Sequence, residues 1–179
     1  MKTQIFIISV ALLFPVISSG QANYVEDRTD VLRSFSKYLA LNRESISIAH
    51  SGNLALISNA DIELQAYASD SLTSALIKCR LMLLEKPDTI LMRALSDLII
   101  SSENSDNEEP AWRYGEVFLH NPEFVESILN DYDRQKRAIL IRAMEFGFKN
   151  VVMAANEKFQ KSRIDSLERR IHLLKQATE

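Results

Sequence analysis

The chain has 179 residues, with 21 basic and 24 acidic side chains, a formal net charge of −3, and only four glycines and four prolines. The acidic balance argues against a partner bound through its phosphates, so no nucleic acid is expected. The shortage of turn residues argues against an all-β fold, and an apolar fraction of 46% argues against general disorder.

The first predicted element is an export signal. Lys2 is the only charge among the first 22 residues, and an apolar run over 5–17 is interrupted only by Ser9 and Pro15. That run is too short to span a bilayer as a helix but has the length of a signal-peptide core. Ser18, Ser19, Gly20, Gln21 and Ala22 follow, with cleavage expected after Ala22 or Gly20. The expected organisation is therefore a signal peptide over 1–22 and one all-α domain over 23–179, a length able to bury a core. No later stretch is long and apolar enough for a transmembrane helix after signal cleavage. Cys79 is the only cysteine, which precludes an internal disulfide, and no Asn-x-Ser/Thr sequon is present. Together these features suit a periplasmic or secreted protein of a bacterium. Cys79 lies at helical spacing from Leu72, Leu76 and Leu83 and reads as a small buried hydrophobe.

Six or seven helices are predicted, as a bundle or short solenoid. After a loose lead-in over 23–28, Thr29 or Asp30 caps a helix to about Leu41, with Val31, Leu32, Phe35, Tyr38 and Leu39 on one face. Ser34-Phe35-Ser36-Lys37 matches Ser-x-x-Lys, but its partner motifs are missing, and it reads as a solvated face. Residues 44–58 alternate in a way that permits strands about Ser51-Gly52-Asn53. With no further strand to pair with, a broken or short helix is preferred. From Asn59 to Lys86 a stripe of Leu64, Ala68, Leu72, Ala75, Leu76, Cys79 and Leu83 predicts a long helix, ended by Pro87. Asp88 then caps a helix with Ile90, Leu91, Ala94, Leu95, Leu98 and Ile99 inward. A polar, acidic loop is expected over 101–109. Pro110, Asn121-Pro122 and Asp133 each mark a further helix start, and Gly147 marks a helix end or bend. The last predicted helix covers about 149–176, where Ile164, Leu167, Ile171 and Leu174 form a short heptad seam. Such a seam either docks on its own domain or pairs with a second copy, giving a homodimer.

No constellation for catalysis emerges. The three histidines, His50, His120 and His172, lie in separate segments, and His-Glu-x-x-His, Gly-x-Ser-x-Gly and phosphate-binding glycine loops are absent. Glu116, His120 and Glu123 are the nearest approach to a metal set, but Asn121-Pro122 redirects the chain between them. No metal and no cofactor is expected. Charge is unevenly spread: residues 103–133 hold nine acids and one base, and residues 134–179 hold eleven bases and five acids. Neighbouring helices of opposite sign would attract within the fold, or one charged face would steer a partner. Trp112, Arg113 and Tyr114 are residue types that dominate binding hot spots, and they follow the acidic loop.

The run Phe118-Leu119-His120-Asn121-Pro122-Glu123-Phe124, continuing to Phe148, resembles the helical hairpins of HEAT-type α-solenoid proteins. The hairpin arm over 86–102 is similar, and the resemblance spans roughly residues 60–150. The chain departs from such arrays in lacking an internal repeat at their ~40-residue period. The resemblance implies stacked hairpins presenting a protein-binding surface, and no catalytic residues. The expected function is an exported, non-catalytic interaction module such as an adaptor, inhibitor or immunity-type protein, with another protein as its partner. The alternative is a helical bundle binding a lipid or small apolar ligand.

Overall fold

A computed structural model describes residues 19–52, 54–103, 107–155 and 159–178. The expected export signal falls mostly outside them, at 1–18. Helix α1 is Ser19–Ser51 and α2 is Leu54–Tyr67; a π-helical turn, Ala68–Leu72, joins α2 to α3, Thr73–Glu85, without a break. Then come α4 (Thr89–Ser101), α5 (Glu109–His120), α6 (Pro122–Leu129), α7 (Arg134–Ala154) and α8 (Lys161–Gln176). Counting α2 through α3 as one rod, the described residues form seven helical bodies, the all-α class that the turn-poor composition predicts.

Local chemistry places most helix ends where the sequence marks them. Lys86, before Pro87, is extended and closes α3. Asp88 caps α4 by accepting from the Ile90 and Leu91 N–H groups at 2.9 and 3.1 Å. Asn121 accepts from Phe124 N–H at 3.3 Å, with Pro122 in the first turn of α6. Asp133 accepts from Lys136 N–H at 2.9 Å and starts α7. Gly52, with φ +70°, makes the turn between α1 and α2 that a side chain would strain. The described residues of 44–58 are thus the end of α1, a turn at Gly52 and the start of α2.

The core lies between α3, α4, α5, α6 and α7, where Leu76, Leu95, Val117, Phe118, Leu140 and Phe148 are fully enclosed. Phe118 and Phe148 meet edge to face with ring centres 6.1 Å apart. Helices α5 and α7 touch backbone to backbone. A Cβ at Gly115 would strike the backbone of Gly147 and Phe148, and a Cβ at Gly147 would strike the Ala111 carbonyl. Helix α1 closes one side with Val31, Phe35 and Tyr38.

Three expectations change. Helix α1 starts well before Thr29, because Tyr24 and Arg28 dock on Asp88, with Tyr24 Oη donating at 3.0 Å and Arg28 pairing at 3.3 Å. Thr29 instead bonds back to the Val25 carbonyl within the helix. Gly147 does not end α7; it permits the crossing with α5. The continuous helix over 149–176 is divided, since α7 closes at Ala154 and α8 opens at Lys161, at the phase shift in the apolar pattern. Of the two expectations for the α8 seam, docking on its own domain is the one observed. Leu167 and Ile171 are 4% exposed, and Ile164 and Leu174 pack on the same core, so the seam is not free to pair with a second copy.

Beyond the core, α1 and α2 extend together as a two-helix arm. The α1 seam Val31, Phe35, Tyr38 continues as Asn42 and Ser45, which are buried but polar. Asn42 Nδ2 donates to the Ser101 carbonyl at 3.2 Å, and Ser45 Oγ donates to Asp61 at 2.6 Å. Among the described side chains from 46 to 71 none is fully buried.

Candidate functional site

Where the arm leaves the body, a groove of about 640 Å³ opens between the π-helical turn and the start of α5. The other hollows considered hold 210–260 Å³. Its walls are Tyr38 from α1; Leu64, Gln65, Ala68, Ser69 and Thr73 from the rod; and Asn107, Glu108, Glu109 and Trp112 beside and on α5. The π turn shapes it. One extra residue per turn pushes the backbone outward, and such turns recur at functional sites. Here Thr73 Oγ1 donates to the Ala68 carbonyl at 3.1 Å, and Ser69 Oγ donates to the Ala66 carbonyl at 3.1 Å.

The opposite wall is set by the first turn of α5. Asn107 Oδ1 accepts from Glu109 N–H at 3.1 Å, and Trp112 N–H closes the turn on the Glu108 carbonyl at 3.0 Å. Glu108 precedes the helix without using its side chain as a cap, so its carboxylate remains exposed at the rim. On the far side of Asn107 and Glu108 lies a smaller hollow of about 240 Å³, floored by Ile99, Ile139 and Phe146. An Arg142–Glu103 ion pair stands at its edge.

The three expected hot-spot residues diverge, as consecutive helical positions must. Trp112 is half-buried and lines the groove. Arg113 turns aside into an ion network, pairing with Glu109 and with Glu116 at 2.9 Å. Burial opposes its charge, but the hydrogen bonds to Glu116 and Glu109 outweigh this and hold it protonated. Tyr114 is wholly enclosed, its hydroxyl 3.4 Å from Ser96 Oγ, and burial pushes its pKa up. Only Trp112 of the three therefore faces solvent at the groove.

The acidic residues weighed for metal binding are engaged with arginines. Glu116 holds Arg113, and Arg80 Nε lies 3.0 Å from Glu116 at an angle that forms no hydrogen bond. Glu123 and Glu126 both pair with Arg170 of α8. Desolvation, then the nearby Arg163 and Arg80, lower the His120 pKa, and Cys79 is sealed, its thiol pushed up to about 12 by burial. Among the described residues no group of three or more His, Cys, Asp or Glu side chains is placed to hold a metal. The bridges from Arg142 and Arg170 also show that much of the charge asymmetry is satisfied between the chain's own helices.

Tyr38, Ala68, Thr73 and Glu108 are groove residues that sequence reasoning missed. A signal was present. Leu64, Ala68, Leu72 and Leu76 recur at four-residue spacing, which overruns the α-helical period by ~40° per step. One wider turn keeps such a row on one face. Comparison with family models, with characterised proteins and with solved structures finds no match for this chain.

Proposed function

We propose that the protein is an exported, non-catalytic binding module that engages another protein through the groove between the π-helical turn and α5. The single observation behind this reading is the groove itself, with Trp112 and Tyr38 against a π turn and an open carboxylate at its rim. Hot spots favour aromatic anchors, and Trp112 is the one that stands half-buried here, with Tyr38 enclosed in the wall. The resemblance to HEAT-type proteins, whose stacked helical hairpins present an extended binding surface, is in keeping with this reading. A small apolar ligand is less well served, because the groove is open along its length and edged by carboxylates. Among the described residues no helix is long and apolar enough to cross a membrane.

Two measurements test the proposal. Intact-mass analysis of the protein recovered after expression in its host should give a chain starting at Asn23 or Gln21; an unprocessed Met1 start removes the export reading. Crosslinking in the same cells should join the wild type to a partner and lose that product in Trp112→Ala. A product unchanged by the substitution would move the binding face elsewhere.

A further inference from the structure

We infer that the occupant of the groove is a short cationic peptide segment of the partner protein, carrying one bulky apolar side chain between lysines or arginines. This rests on the groove being the binding face. Trp112, Tyr38, Leu64 and Ala68 supply its apolar lining. Its rim carries Glu108, whose carboxylate makes no ion pair among the described residues, and no lysine or arginine lines the hollow. The nearest cation on α5, Arg113, is consumed by Glu109 and Glu116, and Lys37 lies over the Tyr67 ring, 4.8 Å from its centre. Glu108 therefore presents a negative charge that no cation in the groove lining offsets, and it steers cations toward this rim.

Hydrogen-bond polarity points the same way. The Ser69 and Thr73 hydroxyl hydrogens are already committed to backbone carbonyls within the rod. What these side chains turn outward is lone pairs. These acceptors and the Glu108 carboxylate suit donor-only Lys and Arg side chains, beside the amides of Gln65 and Asn107, and Trp112 adds a face that attracts a cation. An acidic peptide, a phosphate-bearing lipid or a nucleic acid brings acceptors and negative charge to a surface that already has both.

Trp112 is the only tryptophan, so its fluorescence reads the groove directly. The experiment pans a random heptapeptide display library on the full processed protein and titrates an enriched peptide while following Trp112 emission. The expected result is enrichment of net-positive peptides with an aromatic or aliphatic residue, a saturable emission shift, and at least tenfold weaker binding to Glu108→Lys. Because Glu108 is exposed and its side chain makes no cap hydrogen bond, that variant should keep the wild-type circular dichroism, with the unfolding midpoint lowered only slightly by a cation at the N-terminus of α5. Binding should also weaken from 50 to 300 mM salt. Enriched peptides that are neutral or acidic yet shift Trp112 would overturn the cationic preference and leave the groove reading standing. Peptides that bind without moving Trp112 would overturn the groove reading itself. No enrichment, or equal responses to spermidine and to the peptide, would overturn the peptide proposal.

Discussion

The body and the arm are built from the same helix but held by different means. Over Val31, Phe35 and Tyr38, α1 is anchored by side chains that lose all or nearly all their exposure. One and two turns further on, the same seam is Asn42 and Ser45, each held by a single hydrogen bond, Asn42 to the end of α4 and Ser45 to α2. Burial of a large apolar side chain contributes about 1.5–3 kcal/mol, against about 0.5–1.5 kcal/mol for one hydrogen bond. The body is thus the stable unit and the arm its less stable extension, and the candidate groove lies at the junction. Binding surfaces are commonly drawn from such boundaries, where one wall is rigid and the other adjusts.

The largest expected effect is in the body. Phe118→Ala should lower unfolding free energy by about 3–5 kcal/mol, whereas Ile62→Ala in the arm, 63% exposed, should change it by less than about 0.5 kcal/mol. Equal losses in urea titrations would erase the distinction between the two regions. A smaller contrast concerns the glycines. Gly147→Ala forces a methyl into the Ala111 carbonyl and should cost about 1–3 kcal/mol or more. Gly52→Ala meets nothing within 4 Å but strains a positive φ, a cost of about 1–2 kcal/mol. Hydrogen exchange should show the Gly52 variant opening the arm alone, with body protection unchanged.

The smallest effects are expected in acid, and they should also fall on the body. The Asp88 pKa would be raised by burial, but hydrogen bonds from Leu91, Tyr24, Arg28 and Ile90 win and lower it. Glu145 is lowered by its hydrogen bonds to Lys149 and Lys175. His120 is lowered by desolvation and by Arg163 and Arg80. A depressed folded pKa gives stability that is present above the unfolded value and lost as pH falls through the folded one. Stability should therefore decline first below about pH 6.5 through His120, then again below about pH 4 through Asp88 and Glu145. His120→Gln should flatten only the first decline, and Asp88→Asn only part of the second. A melting temperature constant from pH 7 to 3 would contradict both assignments.

How much of this was legible in the sequence follows from the range of each interaction. Caps act over three residues, so Asp88, Asn121, Asp133 and Pro87 could be read directly. The early start of α1 depends on Tyr24 and Arg28 meeting Asp88, more than sixty positions away in sequence for Tyr24 and sixty for Arg28. No local pattern announces such a contact. Gly147 misled for a related reason: a glycine that ends a helix and a glycine that admits a second backbone look alike until the partner, here Ala111 and Gly115, is in place. Of the candidate site, Trp112 was visible as a residue type. Its two neighbours shared that signal but point in other directions, and the groove's other wall was encoded only in a four-residue spacing.

The π turn has a last consequence, for how this molecule tolerates insertions and deletions. A π turn is the trace of one residue too many in an α-helix. Deleting one position among Ser69, Asp70 and Ser71 would restore unbroken α geometry and rotate α2 by about 100° relative to α3. The body would keep its own packing while α2 swung away from α1 and from Trp112. A single codon thus sets the azimuth of the arm.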